Sequence, residues 1–229
     1  MTGDPGLVAM ARQVIEREQV LLLGTPATRG DGGKQGGDMS GAASVSSADP
    51  SALAGWTAGT WTIDPAHTVV AFAARHLMSR VRGTFSQVNG KIVTGPDPAL
   101  CSATAAVALS SVSTGNEMRD NHLRSGDFFD TGHSPTLTFA STGLRQENGL
   151  WVLTGDLTIR AVTRPAEFEV EFLGVDPAGL QGETRIGFSA RGAIMRRDFG
   201  ITFGLAADSK IVVGGKVDIT RDVQAVLDA

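Results

Sequence analysis

Tyrosine is absent from the 229 residues, and cysteine occurs once, at Cys101. A single cysteine excludes an intrachain disulfide, so a disulfide-stapled scaffold is ruled out. The lack of tyrosine has no physical account. There is no excess of basic residues either. Twenty Lys and Arg against 24 Asp and Glu leave a net charge of −4, and no basic stripe of the kind nucleic-acid binding requires is present. Long apolar runs are missing too. The longest near the N-terminus is Val20–Leu23, and it follows Glu16, Arg17 and Glu18. A secretory core needs ~7–15 apolar residues behind a basic start, and a bilayer span needs roughly 18 or more. These absences set the expectation of a soluble cytoplasmic protein with no transmembrane segment and no nucleic-acid partner.

Catalytic and metal motifs are equally scarce. His67, His76, His122 and His133 include no pair at HxH or HxxxH spacing, which would set two imidazoles on one face. Cys101 has no adjacent histidine and reads as a small packing residue. Gly187–Gly192 is one residue too long for a nucleophile elbow and lies in a strand pattern. Gly30–Lys34 lacks the final glycine of a dinucleotide fingerprint and the Lys-Ser/Thr of a phosphate loop. Glu167, Glu169 and Glu171 alternate, which marks a solvated strand face and not an acid–base pair. The expectation is no catalytic residue, no metal and no cofactor.

What is abundant is glycine, 29 residues, which suits many turns and bulges. Gly6–Leu23 has a loose amphipathic helical pattern. Thr25–Gly59 is dominated by Gly, Ser, Ala and Asp, and such a segment cannot bury enough surface to offset its ordering entropy. The expected organisation is therefore an N-terminal extension with a Gly/Ser-rich linker over 1–59 and one β domain over 60–229. From Trp61 the chain alternates in short runs cut by Gly and Pro. Strand patterns cover Trp61–Ala74, Val81–Thr94, Ser102–Ser113 and Pro135–Thr142. Four more cover Leu150–Arg160, Glu167–Phe172, Glu183–Ile194 and Lys210–Thr220. Eight strands at hairpin spacing without helical crossovers argue for an antiparallel sandwich or an up-and-down barrel. An eight-stranded barrel is either filled by side chains or holds one small ligand. Inward faces rich in Ala, Gly and Phe favour an apolar cavity over a catalytic cleft.

One stretch breaks the β pattern. Asn116–Asp130 reads as a short helix, with Ser113, Thr114 and Asn116 as N-cap oxygens, Glu117 in the first turn and Gly126 placed to end it. Asp120 and Arg124 stand four apart and can pair along one face. Met118, Leu123, Phe128 and Phe129 can plug the end of a β core. In a second reading His122 or Arg119 points into a pocket and holds a ligand's polar head.

Four blocks carry a family resemblance. They are Trp61, Ile63, Asp64, Pro65 and His67 with Phe72, His76 and Leu77; Gly83 and Phe85 with Gly90; Ser113–Gly115 followed by Arg119–Asp130; and Gly155–Ile159 with Arg197–Gly200. In this order the ordered part resembles the YceI family of lipocalin-like, polyisoprenoid-binding proteins. The resemblance implies an all-β, extended eight-stranded antiparallel barrel with one short helix and an apolar tunnel for an isoprenoid or fatty chain. It implies a lining from Phe72, Phe85, Leu109, Phe139 and Phe188, with Phe128 and Phe129 against the ligand. His67, His76, Arg119 and His122 become candidates for the polar head. Ala161 departs from the glycine often found there and alters one turn. The functional expectation is a non-catalytic carrier of an isoprenoid-type lipid, with a homodimer allowed. The alternatives are an enzyme using His122 and Asp120 in the same cavity, and an interaction module with a collapsed tunnel.

Overall fold

A computed structural model describes residues 53–179, 181–204 and 213–229. The expected amphipathic helix at Gly6–Leu23 and most of the expected linker lie outside these residues. Eleven strands form one sheet among the described residues. They are β1 Gly59–Ile63, β2 Val69–His76, β3 Ser79–Phe85, β4 Val88–Thr94, β5 Ser102–Ala108 and β6 Val112–Ser113. After the helix α1 Glu117–Arg124 come β7 Thr136–Glu147, β8 Leu150–Ile159, β9 Val162–Asp176, β10 Arg185–Met195 and β11 Val213–Leu227.

The eleven strands make eight staves. β1 and β2 pair successively along β11, so they are one stave broken by the Asp64–Thr68 turn. β3 and β4 form a second broken stave, and β5 and β6 a third, since β1 pairs with β4, β2 with β3, β4 with β5 and β3 with β6. β7 to β11 are unbroken. Every pairing is antiparallel, and the β1–β11 pairing closes the ring into a barrel, with only the two-residue β6 left with a single partner among the described residues. Of the two architectures the sequence left open, the up-and-down barrel is the one formed.

Turn chemistry matches the hairpins. Asn148 and Gly149 both have positive φ, 51° and 80°, between β7 and β8, as a two-residue type I′ turn requires. Arg160 and Ala161 do the same between β8 and β9, at 52° and 60°, although neither is glycine. The sequence departure at Ala161 is thus accommodated in a left-handed conformation that costs an L-residue roughly 1–2 kcal/mol.

The two ends of the barrel differ. The end nearest α1 is solid. Phe85, Leu109, Val112, Phe128, Leu157, Ile159 and Phe199 are buried in one cluster there, with Phe72, Leu123 and Phe129 packed against it. Each large side chain so buried contributes roughly 1.5–3 kcal/mol. The helix starts at Asn116, whose side chain accepts from the Arg119 N–H at 3.0 Å, and stops at Ser125, one residue before Gly126. The Asp120–Arg124 pair expected from spacing does not form. Arg124 instead donates to the carbonyls of Ser110 and Val112 and to the Asn121 side chain. Asp120 accepts from the Thr114 N–H and hydroxyl, and so ties the helix to the end of β6. Tertiary acceptors close at hand outcompete a solvent-exposed i,i+4 pair, which is worth only a few tenths of a kcal/mol. Met118 is exposed and takes no part in the plug.

Candidate functional site

The opposite end of the barrel is hollow. It is formed where β1 begins, β4 ends, β5 begins and the β7–β8 hairpin turns. Alternation on these strands sends every second residue inward. Several inward positions carry small side chains: Ala103 and Ala105 on β5, and Ala190 on β10. Their short side chains leave a space of about 100 Å³ between Ile92, Leu144, Leu153, Val170, Phe188 and Val223. An adjoining space of about 40 Å³ shares Trp56, Cys101, Leu144, Val170 and Phe188 with it and continues towards Leu53, Pro98 and Trp151.

Trp56 stands at this mouth, in a segment that composition assigns to the linker. Its ring packs edge-on against Phe172 at 5.3 Å, and its Nε1 donates to the Gly95 carbonyl at 3.0 Å. Below it, Trp61 is fully buried and donates from Nε1 to Thr94 Oγ1 at 2.7 Å. Cys101 borders both spaces, and burial pushes its thiol pKa up. The raised pKa fits a packing residue and not an activated nucleophile.

Of the side chains singled out in the sequence, Phe139 and Phe188 line the hollow. Phe72, Phe85, Leu109, Phe128 and Phe129 belong to the packed cluster at the helix end. The polar candidates are scattered. His67 lies in the turn between β1 and β2, with Nδ1 2.7 Å from Asp64 Oδ2. Arg185 Nη1 reaches the same carboxylate oxygen at 2.8 Å, and its Nε reaches Glu183 at 2.6 Å. Burial alone would raise the Asp64 pKa. Hydrogen bonds from His67, the Ala66 N–H and Arg185 outweigh it and hold the carboxyl at about 2. His76 is exposed at the end of β2. Arg119 donates from Nε to Thr114 Oγ1 at 2.7 Å and from Nη2 to the Thr114 carbonyl at 3.0 Å. His122 Nε2 lies 2.8 Å from Asp127, and its ring stacks edge-on with Phe128 and Phe203. His122 and Asp120 therefore have separate partners at the solid end, and neither borders the hollow. Among the described residues no three His, Cys, Asp or Glu side chains gather as a metal cluster.

One residue at the site was not singled out in the sequence. Arg221 lies on β11, opposite Val70 of β2 and Ala190 of β10. It takes an inward position in the series Val217, Ile219, Arg221, Val223, Ala225, and so sits at the floor of the hollow. Among the residues lining the space it alone is charged. Its guanidinium carbon is 4.7 Å from the centre of the Phe168 ring and 5.8 Å from that of Phe139. Its Nε is buried without a hydrogen-bond partner. Desolvation brings its pKa down to about 10, which still leaves it protonated at neutral pH. The signal was available: the last strand pattern, followed beyond Thr220, carries its alternation through to Leu227 and puts a cation on the apolar face.

Arg196 provides the contrast. It is the more buried of the two, and desolvation lowers its pKa as well. Yet it donates to the carbonyls of Gly214, Ile201 and Val213 at 2.9, 3.1 and 2.9 Å. One desolvated arginine is saturated by the fold, and the other is not.

Comparison with known proteins agrees with this architecture. The model of the YceI-like domain matches residues 61–225. A UPF0312 protein of Staphylococcus aureus is 38% identical over 161 residues, covering 68% of this chain and 90% of that protein. The crystal structure of a Campylobacter jejuni YceI protein superposes with a TM-score of 0.58 at 30% identity, over 68% of this chain and 90% of that one. A polyisoprenoid-binding domain from Saccharophagus degradans shares the fold at 17% identity, with a TM-score of 0.57, over 75% of this chain and all of that one.

Proposed function

The chain belongs to the YceI-like family, and from that membership we propose that it is a non-catalytic carrier of a long apolar lipid of isoprenoid type, held in the hollow half of the barrel. The observation that carries the reading is the apolar space opposite α1, with its single charged residue at the floor. The fold shared with the Saccharophagus polyisoprenoid-binding domain supports a lipid ligand here as well. Each buried CH₂ of such a chain is worth roughly 0.8 kcal/mol, so a chain only partly inside still binds usefully. Chemistry through His122 and Asp120 has no support in their positions, since both are engaged at the far end. No helix among the described residues is long and apolar enough to cross a membrane. The proposed compartment is the cytoplasm, which cell fractionation checks. Native mass spectrometry of the purified protein, followed by organic extraction, tests the carrier. A near-stoichiometric long apolar molecule is the expected result. An empty protein that also takes up no polyprenyl phosphate, quinone or fatty acid overturns the reading.

A further inference from the structure

Arg221 poses a problem that the barrel itself does not solve. A guanidinium carries five N–H donors and a permanent charge. Burying it unpaired is unfavourable, and buried charges are ordinarily paired or saturated by hydrogen bonds. Arg196 obeys that rule with three carbonyls. Arg221 has no hydrogen bond among the described residues, and no carboxylate borders the space it faces. The polar neighbours do not help. Thr94 is already committed to Trp61 and to the Thr57 carbonyl, at 2.7 and 2.6 Å.

The surroundings hold Arg221 in place without neutralising it. Phe139 and Phe168 meet edge to face at 5.4 Å, and the guanidinium lies against both rings. Cation–π attraction offsets part of the desolvation and uses the faces of the ion. Its edges, which carry the N–H groups, are left for another partner. The two rings are themselves fixed by glycines. A Cβ at Gly155 would collide with the Phe139 ring, and one at Gly192 would come within 2.7 Å of the Phe168 ring. Cation, rings and glycines thus form a built floor to an otherwise apolar space.

The floor is deep. Phe139 pairs with Ala105, and Cys101 at the mouth stands four residues further along the same stave. At ~3.3 Å per residue and the ~40° tilt of strands in such a barrel, the drop is about 10 Å. A ligand that reaches Arg221 must therefore bring its polar end down through the apolar section.

We propose that Arg221 anchors the oxyanion head of a long-chain amphiphile, which enters the barrel head first and leaves its hydrocarbon chain in the hollow between Arg221 and Trp56. This rests on the carrier reading and narrows it from any apolar lipid to one with a carboxylate or phosphate end. Either head accepts two parallel N–H bonds from the guanidinium edge, the geometry for which arginine is best suited. The head supplies the counter-charge, and the chain fills the space above it.

Two matched pairs of probes test the proposal: palmitate against hexadecanol, and farnesyl phosphate against farnesol. Within each pair the chain is constant and only the head changes. Wild-type protein is expected to bind the anionic member of at least one pair tenfold or more tightly than its alcohol. The pair with the larger ratio identifies the head as carboxylate or phosphate. In Arg221→Met the ratio falls to near one. Arg221→Lys keeps the charge without the fork and retains part of the preference. Equal binding of acid and alcohol by wild type, or a preference that survives in Arg221→Met, overturns the anchor and leaves the carrier standing. If none of the four binds wild type, the carrier falls and the anchor with it. Equal binding by wild type overturns the anchor without any variant, and where wild type prefers the anion, a reduced ratio in Arg221→Lys assigns the preference to this residue independently of how Arg221→Met folds.

Discussion

Replacing Arg221 by methionine should stabilise the empty barrel, although it removes a buried side chain's contacts. The magnitude follows from two opposing effects. Burial brings the Arg221 pKa from 12.5 down to about 10, and at ~1.36 kcal/mol per pKa unit the charged form is disfavoured by about 3 kcal/mol. Because the folded pKa is depressed for a cationic group, the penalty is present at neutral pH and is relieved only as pH rises through about 10. Against it stands the stacking on Phe168 and Phe139, worth about 2 kcal/mol for a desolvated cation. Methionine keeps an unbranched stem of similar reach and regains part of the stacking through its sulfur. The net expectation is a gain of about 1–2 kcal/mol, in line with other replacements of buried charge by apolar groups. For a domain of this size the melting temperature should rise by about 2–8 °C. The assay is thermal and urea denaturation of delipidated protein at pH 7, wild type against variant. A fall in stability of 1 kcal/mol or more would refute the reasoning, because it would mean that the guanidinium has a partner in the empty protein.

Other predictions follow from the same coordinates. Ala161→Gly should stabilise by about 1 kcal/mol, since Ala161 sits at φ 60° where glycine avoids the left-handed penalty; urea denaturation checks it. Gly192→Ala should destabilise by about 1–3 kcal/mol, because the new methyl meets the Phe168 ring and the Glu167 carbonyl. The same variant should weaken binding of any ligand whose head lies at Arg221. Asp64, held at about 2 by its partners, contributes stability that is complete above its unfolded pKa near 4 and is lost as pH falls from 4 to 2. After allowance for solvent screening at the turn this is about 1 kcal/mol, and Asp64→Asn should remove that part of the acid-induced loss in a pH-dependent denaturation series.

The staves were legible because period-two alternation survives in all eight, and the short helix was legible because its charges and its Asn116 cap break that alternation. The turn at Asp64–Thr68 was legible from Pro65, but the break between β5 and β6 was not. A turn inside a stave leaves the inward and outward order on either side nearly intact, so the pattern reads as one strand. Sequence also could not say which inward residues fill the barrel and which leave it empty. Phe72, Phe85 and Phe128 have the same inward-facing, aromatic character as Phe139 and Phe188, but whether a ring meets another ring or an opening depends on residues remote in sequence. The useful clue was local and small: Ala103 and Ala105 on one strand, where short side chains leave room. Arg221 was missed because the final strand pattern was followed only to Thr220, while the strand itself runs to Leu227. Trp56 was missed because it stands alone in a Gly- and Ala-rich stretch, where composition outweighs a single aromatic.

The division of the barrel into a solid end and a hollow end also bears on how such a protein can change over evolutionary time. At the helix end, Leu109 and Val112 have neighbours on every side, so trimming one opens a void and incurs both the lost transfer energy and the cost of the vacancy. At the hollow end, Ala103, Leu153 or Val223 already faces open space, so a change in its bulk alters the shape of that space with little rearrangement around it. Drift in the shape of the hollow and retention of the fold are thereby uncoupled. Substitutions that reshape the hollow fall where the molecule is least sensitive to them, and the half that secures folding is free to stay as it is.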